Sequence, residues 1–391
     1  MKKRHLLTIA MLCLVALSAS AQKKFSVYAV GFYNQENLFD TCHDAGKNDY
    51  EFLPTGSYRW NGLKYSHKLK NMSRALADLG TDMLPGVGCA IIGLSEVENA
   101  KALEDLVAQE PLRARNMKFV HVEGPDRRGV DCALLYNPAL FTVEDVQLHP
   151  YVQELEKDSA FLTRGFLTVQ GRLAGEKVTA IVCHWPSRFS ESFYRESAGR
   201  QVRVLKDSLL RVDPTNKIFV MGDLNDDPTD KSITQGLQAK SEIKKTDDED
   251  MYNPWYNLLV KQGTGTLQYN GAWNLFDQII MTPNLLDRKG KKDYTNLTYL
   301  KNQIFRRDYL IQTEGKYKGN PKRTHAGGVW LDGAPAGTSA AGSARKDTEN
   351  AAIIQIKSRR ICPSSKSLSV VCNQSSRPSG CGFTIISGRM S

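Results

Sequence analysis

The stretch Ile218-Phe219-Val220-Met221-Gly222-Asp223-Leu224-Asn225-Asp226 is the most informative part of the sequence for the fold. Its apolar first half has the length of a buried strand, and this strand ends in acidic and amide side chains. Residues two apart on an extended segment point the same way. We therefore expect Asp223 and Asn225 to hold one water together, with Leu224 turned into the core. A turn without chemistry is the alternative interpretation of these residues taken alone.

Four more polar groups stand at the ends of apolar, strand-like runs: Asn34 to Asp40, Ser95 to Asn99, His184 to Arg188, and Asp277. Amphipathic stretches separate several of these runs, which favours an α/β architecture. Some strands follow one another with only a turn between them, so the sheets should be mixed. We predict two such sheets packed face to face with helices outside.

The predicted elements cover most of the chain between Phe25 and Thr282. The predicted strands are Phe25 to Tyr33, Ala90 to Ser95, Lys118 to Val122, Asp131 to Tyr136, Phe166 to Val169, Lys177 to Cys183, Lys217 to Met221 and Phe276 to Met281. The predicted helices are His67 to Leu79, Lys101 to Gln109 and Tyr194 to Arg211.

A carboxylate and an amide at strand ends are suited to a divalent cation. Glu96 follows the run Ala90 to Leu94 and is the first choice of ligand, whereas Glu98 looks like an ordinary surface residue. Asn37 would contact the ion or its water without adding charge. Mg²⁺ binds through one or two carboxylates and keeps positions for water and phosphate oxygens, so Mg²⁺ is the predicted ion, with Mn²⁺ as an alternative.

Basic side chains near the same strand ends would suit a phosphate group. A single histidine at a strand end is usually structural, but His184 is followed closely by Arg188, whose guanidinium suits bidentate phosphate contact. Arg128 precedes the strand that contains Asp131 and is a second candidate for substrate contact. Together, these residues predict hydrolysis of a phosphate ester.

The ordered set of motifs resembles the endonuclease/exonuclease/phosphatase superfamily, which includes deoxyribonuclease I and exonuclease III. The motifs are Asn37-Leu38-Phe39, Ser95-Glu96-Val97, Arg128 to Tyr136, His184 to Arg188, Gly222 to Asn225 and Asp277-Gln278-Ile279. The resemblance implies a deoxyribonuclease I-like four-layer α/β sandwich. It also implies metal binding at Asn37 and Glu96, phosphate contact at His184, water and phosphate contact at Asp223 and Asn225, and orientation of a final histidine by Asp277.

That final histidine is absent from the sequence. The family carries a Ser-Asp-His triplet on its last strand, whereas here Gly333 is followed by Ala-, Gly- and Ser-rich sequence without any Asp-His dipeptide. We therefore expect the last strand to be missing and a sheet edge to be unpaired. Out-of-frame translation from about Ala334 is one hypothesis, and replacement of the base by His325 is another. A catalytically silent phosphate-binding module is the alternative function.

The two ends of the chain differ from its body. Residues 1–21 have a basic start, an apolar stretch and the cleavage-like Ala19-Ser20-Ala21, which predicts a signal peptide and export to a periplasm or beyond. Residues 22–333 would form the catalytic domain, and residues 334–391 an atypical, disordered or out-of-frame tail. The apolar stretch is too short to span a bilayer. The sequence does not indicate an oligomeric state.

Charge and cysteine content do not select a substrate. The formal net charge is +10, but the basic start and the tail carry all but +1 of it, so nucleic acid is one phosphate-ester substrate among several.

Cys132 and Cys183 lie in apolar runs and should pack in the core, and a disulfide between Cys42 and Cys89 stays open. The acidic residues 241–250 are read as a solvated loop, which would repel a polyanion if it lay beside the cleft.

Overall fold

The computed structural model describes residues 25–154, 162–269, 271–292, 294–315, 318–322, 325–326, 329–330 and 352–358. The strands are β1 Ser26–Leu38, β2 Cys89–Val97, β3 Lys118–His121, β4 Asp131–Tyr136, β5 Phe141–His149, β6 Phe166–Leu173, β7 Glu176–His184, β8 Lys217–Asp223, β9 Ala239–Lys240, β10 Met251–Tyr252, β11 Leu267–Tyr269, β12 Ala272–Asn274, β13 Asp277–Met281, β14 Thr298–Ile304, β15 His325–Ala326, β16 Val329–Trp330 and β17 Ala352–Ser358. The helices are α1 Gly62–Asp78, α2 Ala100–Ala108, α3 Glu110–Arg113, α4 Ser192–Val212 and α5 Tyr256–Gln262.

Two large sheets form the framework. The first sheet has the strand order β14-β17-β1-β2-β4-β3, and the second has the order β5-β6-β7-β8-β13-β10-β9. Strands β1 and β2 run parallel, as do β7 and β8, while β13 runs antiparallel to β8. Both sheets are therefore mixed, as the sequence predicts.

The inner faces of the two sheets pack against each other. Phe32 and Ile91 of the first sheet join Val182, Met221 and other apolar side chains of the second in one buried cluster. A Cβ atom at Gly93 would lie 2.7 Å from the sulfur of Met221 and 3.0 Å from the ring of Phe32, so a larger residue would displace these side chains. The sheets are thereby held close enough for side chains at their edges to meet.

Helices cover the outer faces. Helix α1 begins after Asn61, whose side chain accepts a hydrogen bond from Lys64 N, and α2 begins in the same way after Asn99. Their apolar faces pack on the first sheet, and α4 packs on the second. The arrangement of helix, sheet, sheet and helix confirms the predicted four-layer α/β sandwich.

The predicted strands all exist: five are longer than expected, by one to five residues at an end, one matches, and two are one residue shorter. The expectation of an unpaired edge is wrong. Strand β17, from the tail, pairs with β1 on one side and β14 on the other, with Ala352 opposite Phe32. Its run Ala352-Ile353-Ile354 is buried, which supplies the stabilisation of a central strand. The N-terminal 21 residues and the rest of the tail lie outside the described residues.

The cysteines of the body are free thiols. Cys132 and Cys183 are buried in the apolar core, as predicted. Cys42 is exposed, whereas Cys89 is buried on the first sheet, and each is a free thiol, so the disulfide left open between them is not formed.

The acidic stretch 241–250 lies at the end of the second sheet away from Asp277. Asp248 pairs with Arg288, and Tyr252 stands opposite Met281, at the far end of β13 from Asp277. It therefore does not border the strand ends that carry the predicted site. Within the described part of the chain, no helix combines the length and apolar character needed to cross a membrane.

Candidate active site

Three predicted residues lie in one row across the second sheet. His184 at the end of β7 stands opposite Asp223 at the end of β8, and Asp223 stands opposite Asp277 at the start of β13. All three are buried. The parallel pair β7 and β8 brings their carboxyl ends to the same edge, which is why residues far apart in sequence converge here.

The first sheet contributes Asn34 and Glu96 from two irregular strand ends. The pairing of β2 with β4 shifts register between Ser95 and Val97, and Glu96 has a left-handed φ of 59°. Such a bulge redirects a side chain. Since a non-glycine residue in this conformation is strained, its presence beside a polar cluster is typical of a functional site.

The side chains from the two sheets meet at a single point. Oxygen atoms of Glu96 and Asp223 and a ring nitrogen of His184 lie within 4.8 Å of one another. His184 Nε2 is 3.5 Å from Asp223 Oδ2 and 3.7 Å from Glu96 Oε1. Asn34 Nδ2 donates to both carboxylates, at 3.3 Å to Glu96 and 3.2 Å to Asp223. Two buried carboxylates thus share one amide and one imidazole.

Sequence reasoning selected Asn37, but the structure places Asn34 against the carboxylates. Asn37 is half-buried, has a φ of 61° and lies in the irregular segment between Asn34 and Leu38, where the pairing of β1 with β2 shifts. The sequence does contain a pattern that points to Asn34, because Asn34 directly follows the apolar run of β1. In the folded sheet Asn34 stands opposite Ser95, next to Glu96.

Two hydrogen bonds, one to the Asp223 carboxylate and one to a backbone carbonyl, hold Asn225 beside Asp223. Its N–H donates to Asp223 Oδ1 at 2.9 Å, and its Nδ2 donates to the carbonyl of Trp185 at 2.9 Å. Its φ of 53° is left-handed, so Asn225 departs from the simple alternation that the sequence suggested, although Leu224 is buried in the core as predicted. Within the described residues the buried Oδ1 of Asn225 has no hydrogen-bond partner.

Arg164 is a site residue that sequence reasoning missed. Its Nη2 donates to the same Trp185 carbonyl at 3.2 Å, and its Nη1 donates to Asp126 at 3.0 Å. The side chain is largely buried at the start of β6. In the sequence, Arg164 is only an arginine shortly before a predicted strand. That pattern does not distinguish a buried arginine from a surface one.

The two predicted phosphate-binding arginines are differently placed. Arg188 donates to the carbonyl of Asn225 at 3.1 Å and to the carboxylates of Asp227 and Asp230 at 3.0 and 2.7 Å. Its guanidinium therefore clamps the loop after Asp223. Arg128 is half-exposed, with Nε 3.6 Å from Asp126, so Arg128 contacts the same carboxylate that holds Arg164.

A buried ion pair anchors the loop from the other side. Arg195 Nε donates to Asp226 Oδ1 at 2.8 Å, and Ser232 donates to the other oxygen at 2.7 Å. Burial raises the pKa of Asp226, while Ser232 and Arg195 act in the opposite direction. Asp226 thus holds the turn after Asn225 through contacts in the protein interior.

Glu98 is not the surface residue that the sequence suggested. Only 1% of it is exposed, and its carboxylate accepts from Asp40 N at 2.6 Å. Burial, reinforced by nearby Asp40 and Asp44, raises its pKa to about 9. Glu98 therefore carries a proton at neutral pH and adds no charge beside Glu96.

A second group of ligand-type side chains lies at the start of β4. Atoms of His121, Glu123 and Asp131 fall within 4.8 Å of one another. The ammonium of Lys47 is 2.8 Å from Glu123 and also donates to the carbonyl of Gly124. Lys47 thus already supplies positive charge there, so the group with Glu96 is the better cation site.

One protein family matches most of the chain. The model of the endonuclease/exonuclease/phosphatase family matches residues 29–337. No curated protein matches the chain. Similar solved structures include a humanised TDP2 of D. rerio, with 12% identity, 84% of this chain and 98% of that chain covered, and a TM-score of 0.48.

Two further similar structures come from Bacteroides thetaiotaomicron. An endonuclease/exonuclease/phosphatase family protein has 10% identity and a TM-score of 0.48, with 86% of this chain and 96% of that chain covered. A mannosyl-6-phosphatase has 12% identity and a TM-score of 0.46, with 84% and 98% covered. Identities this low do not indicate a substrate. Because the family model spans most of its length, the chain belongs to the endonuclease/exonuclease/phosphatase family of metal-dependent phosphoester hydrolases.

Proposed function

We propose that this protein hydrolyses a phosphate ester, by in-line attack of water, with Mg²⁺ at Glu96. The observation that carries the proposal is the convergence of Glu96, His184 and Asp223 within 4.8 Å, from three strands of two sheets. Residues so distant in sequence would not assemble two buried carboxylates and an imidazole for packing alone, since burying charge is costly.

The residues present fit a divalent cation. Glu96 and Asp223 are buried carboxylates that share donors, so a positive charge between them would offset their repulsion. Oxygen ligands are those that Mg²⁺ prefers, and Mn²⁺ accepts the same set. When bound, the cation would polarise a phosphate oxygen. Asn34 would orient the carboxylates rather than bind the ion, because its Oδ1 already accepts from Glu36 N at 2.7 Å.

The protein's own groups would then hold and activate water. Asn225 Oδ1 is a buried acceptor without a hydrogen-bond partner among the described residues, and the neighbouring carboxylate is that of Asp223, which accepts from Asn225 N. Water between them would pass one proton to Asp223 as its oxygen bonds to phosphorus. The ester P–O bond breaks, and the leaving oxygen takes a proton from solvent. His184 Nε2 would donate to a phosphate oxygen.

The Asp277 carboxylate lies in the same row but the sequence has no Asp-His dipeptide for it to orient. A positioned acid or base contributes about 10²- to 10⁴-fold in rate, so we expect slow turnover. The presence of β17 removes one reason to regard the tail as out of frame, whereas the missing histidine remains a reason. Resequencing the gene beyond the codon for Trp330 tests that hypothesis.

The second candidate function is a phosphate-binding module without turnover, and the same missing histidine favours it. Metal and phosphate binding without hydrolysis would support this function. Export to a periplasm or beyond is also proposed, on the basis of residues 1–21. Finding Gln22 at the N-terminus of protein recovered outside the cytoplasm would support it, and recovery of uncleaved protein from the cytoplasm would contradict it.

Mg²⁺ titration by calorimetry tests the metal site. We expect the Glu96→Gln variant to lose at least tenfold in affinity, because the substitution removes the charge of the proposed ligand. Glu104→Gln, on α2, is the control and should bind as the wild type does. Equal affinity of the wild type and Glu96→Gln would reject the assignment of the metal.

A further inference from the structure

Phe189 is a fully exposed aromatic ring beside the site. Its relative exposure is 101%, and Val212 follows at 82% among the exposed large apolar residues. Leaving a phenylalanine in water forgoes about 1.5–3 kcal/mol of burial. A single exposed apolar residue needs no explanation in general. Whether the exposed ring of Phe189 has a function therefore depends on where it lies.

The position is at the rim of the active site. Trp185 N donates to the carbonyl of Asp223 at 3.0 Å, and Arg188 Nε donates to the carbonyl of Asn225 at 3.1 Å. Adjacent Cα atoms are about 3.8 Å apart. Phe189 directly follows Arg188, so the turn that carries it lies beside the loop of Asn225.

The turn that carries Phe189 is rigidly held. Ser190 N donates to the carbonyl of Ser187 at 2.9 Å, which closes a tight turn with Phe189 near its tip. Arg195 Nη1 donates to the carbonyls of both Ser187 and Ser190, at 3.0 and 3.1 Å. The same guanidinium is paired with buried Asp226. The ring is thus presented by a fixed turn instead of a loose loop, so little conformational entropy is lost on contact.

Arg188 links this turn to the other side of the site. Its Nη1 is 3.3 Å from Asn274 Oδ1, and its guanidinium lies 4.4 Å from the ring centroid of Phe276, immediately before Asp277. The turn therefore belongs to the same rigid rim as the strand that carries Asp277. A ring displayed at such a rim is suited to stack on a planar group attached to the phosphate.

We propose that Phe189 is a stacking platform that makes the site prefer phosphate esters bearing a planar aromatic ring, such as a nucleobase. This inference rests on the proposed function, since it assigns a substrate class to that site. Phe189 would act on substrate binding and leave the chemistry at Asp223 unchanged.

Calorimetry with two probes tests this role in the full chain with Mg²⁺. Thymidine 5′-monophosphate and 2-deoxyribose 5-phosphate differ by the base alone. We expect the wild type to bind the nucleotide about 5- to 150-fold more tightly, the range for stacking on one base. Phe189→Ala should lose most of that preference with unchanged affinity for the sugar phosphate, while Phe189→Trp should keep it.

Val212→Ala is the matched control, because it truncates an exposed apolar side chain at the opposite end of α4. It should bind both probes as the wild type does. If the wild type binds both probes and Phe189→Ala keeps the preference, or weakens both ligands equally, the stacking role is overturned while the proposed function stands. If neither probe binds in a Mg²⁺-dependent way, the proposed function fails and the stacking role fails with it.

Discussion

Replacing Asn34 by alanine should destabilise the metal-free protein by about 3 kcal/mol. Asn34 makes three hydrogen bonds, two to carboxylates and one from Glu36 N, and a net value of about 1 kcal/mol for each gives this sum. The shared Nδ2 donor also offsets part of the repulsion between Glu96 and Asp223. Two charges within 4.8 Å interact by about 3.5 kcal/mol at an effective dielectric constant of about 20.

The assay is urea unfolding followed by circular dichroism, in EDTA and then in Mg²⁺. We expect Asn34→Ala to lose stability in EDTA and to regain part of it in Mg²⁺, because a cation would offset the same repulsion. Asn37→Gly is the control. It removes the other amide without strain at a φ of 61°, which glycine adopts freely, and it should change stability by less than about 1 kcal/mol. A stable Asn34→Ala protein, or a larger effect at Asn37, would refute the reasoning.

Three other substitutions test the surroundings of the site. Arg195→Met should lower the free energy of unfolding by about 3 kcal/mol, because buried Asp226 would lose its closest cation and keep only Arg188 Nε, 3.5 Å away; an unchanged urea midpoint would contradict this. Arg188→Ala should alter the KM for a phosphodiester less than threefold, since the guanidinium of Arg188 is paired with Asp227 and Asp230. A KM raised tenfold or more would indicate instead that Arg188 binds the phosphate. The raised pKa of Glu98 means that the folded protein holds a proton there that the unfolded chain releases. Stability in EDTA should therefore fall by up to about 1.4 kcal/mol per pH unit between about pH 5 and 9, and Glu98→Gln should flatten this dependence; an equally steep profile in the variant would disprove the shift.

The sequence predicted the fold well because apolar runs of strand length are governed by burial. The run before Asp223 and the run before Glu96 are both buried on two faces, as continuous apolar sequence predicts. Strand β5 was missed because its exposed edge position leaves a mixed polar pattern over Phe141–His149. Strand β17 was missed because it follows a compositionally unusual segment, although the run Ala352-Ile353-Ile354 is itself apolar.

The site was less predictable, because local backbone irregularities determine where its side chains point. Register shifts after Asn34 and around Glu96 break the alternation from which the sequence is interpreted. This is why Asn37 was chosen in place of Asn34. Arg164 was not recognised because its contacts, Asp126 and the carbonyl of Trp185, are 38 and 21 residues away and form only in the folded chain.

Mg²⁺-dependent hydrolysis of bis(p-nitrophenyl) phosphate by the full chain and two aspartate variants tests whether this group of side chains is catalytic. We expect slow turnover that EDTA abolishes, at least a hundredfold lower turnover in Asp223→Asn, and wild-type turnover in Asp213→Asn, a control on a half-buried residue after α4. Turnover that persists in EDTA, or that Asp223→Asn leaves unchanged, would contradict the claim that the group of Glu96, His184 and Asp223 is the active site.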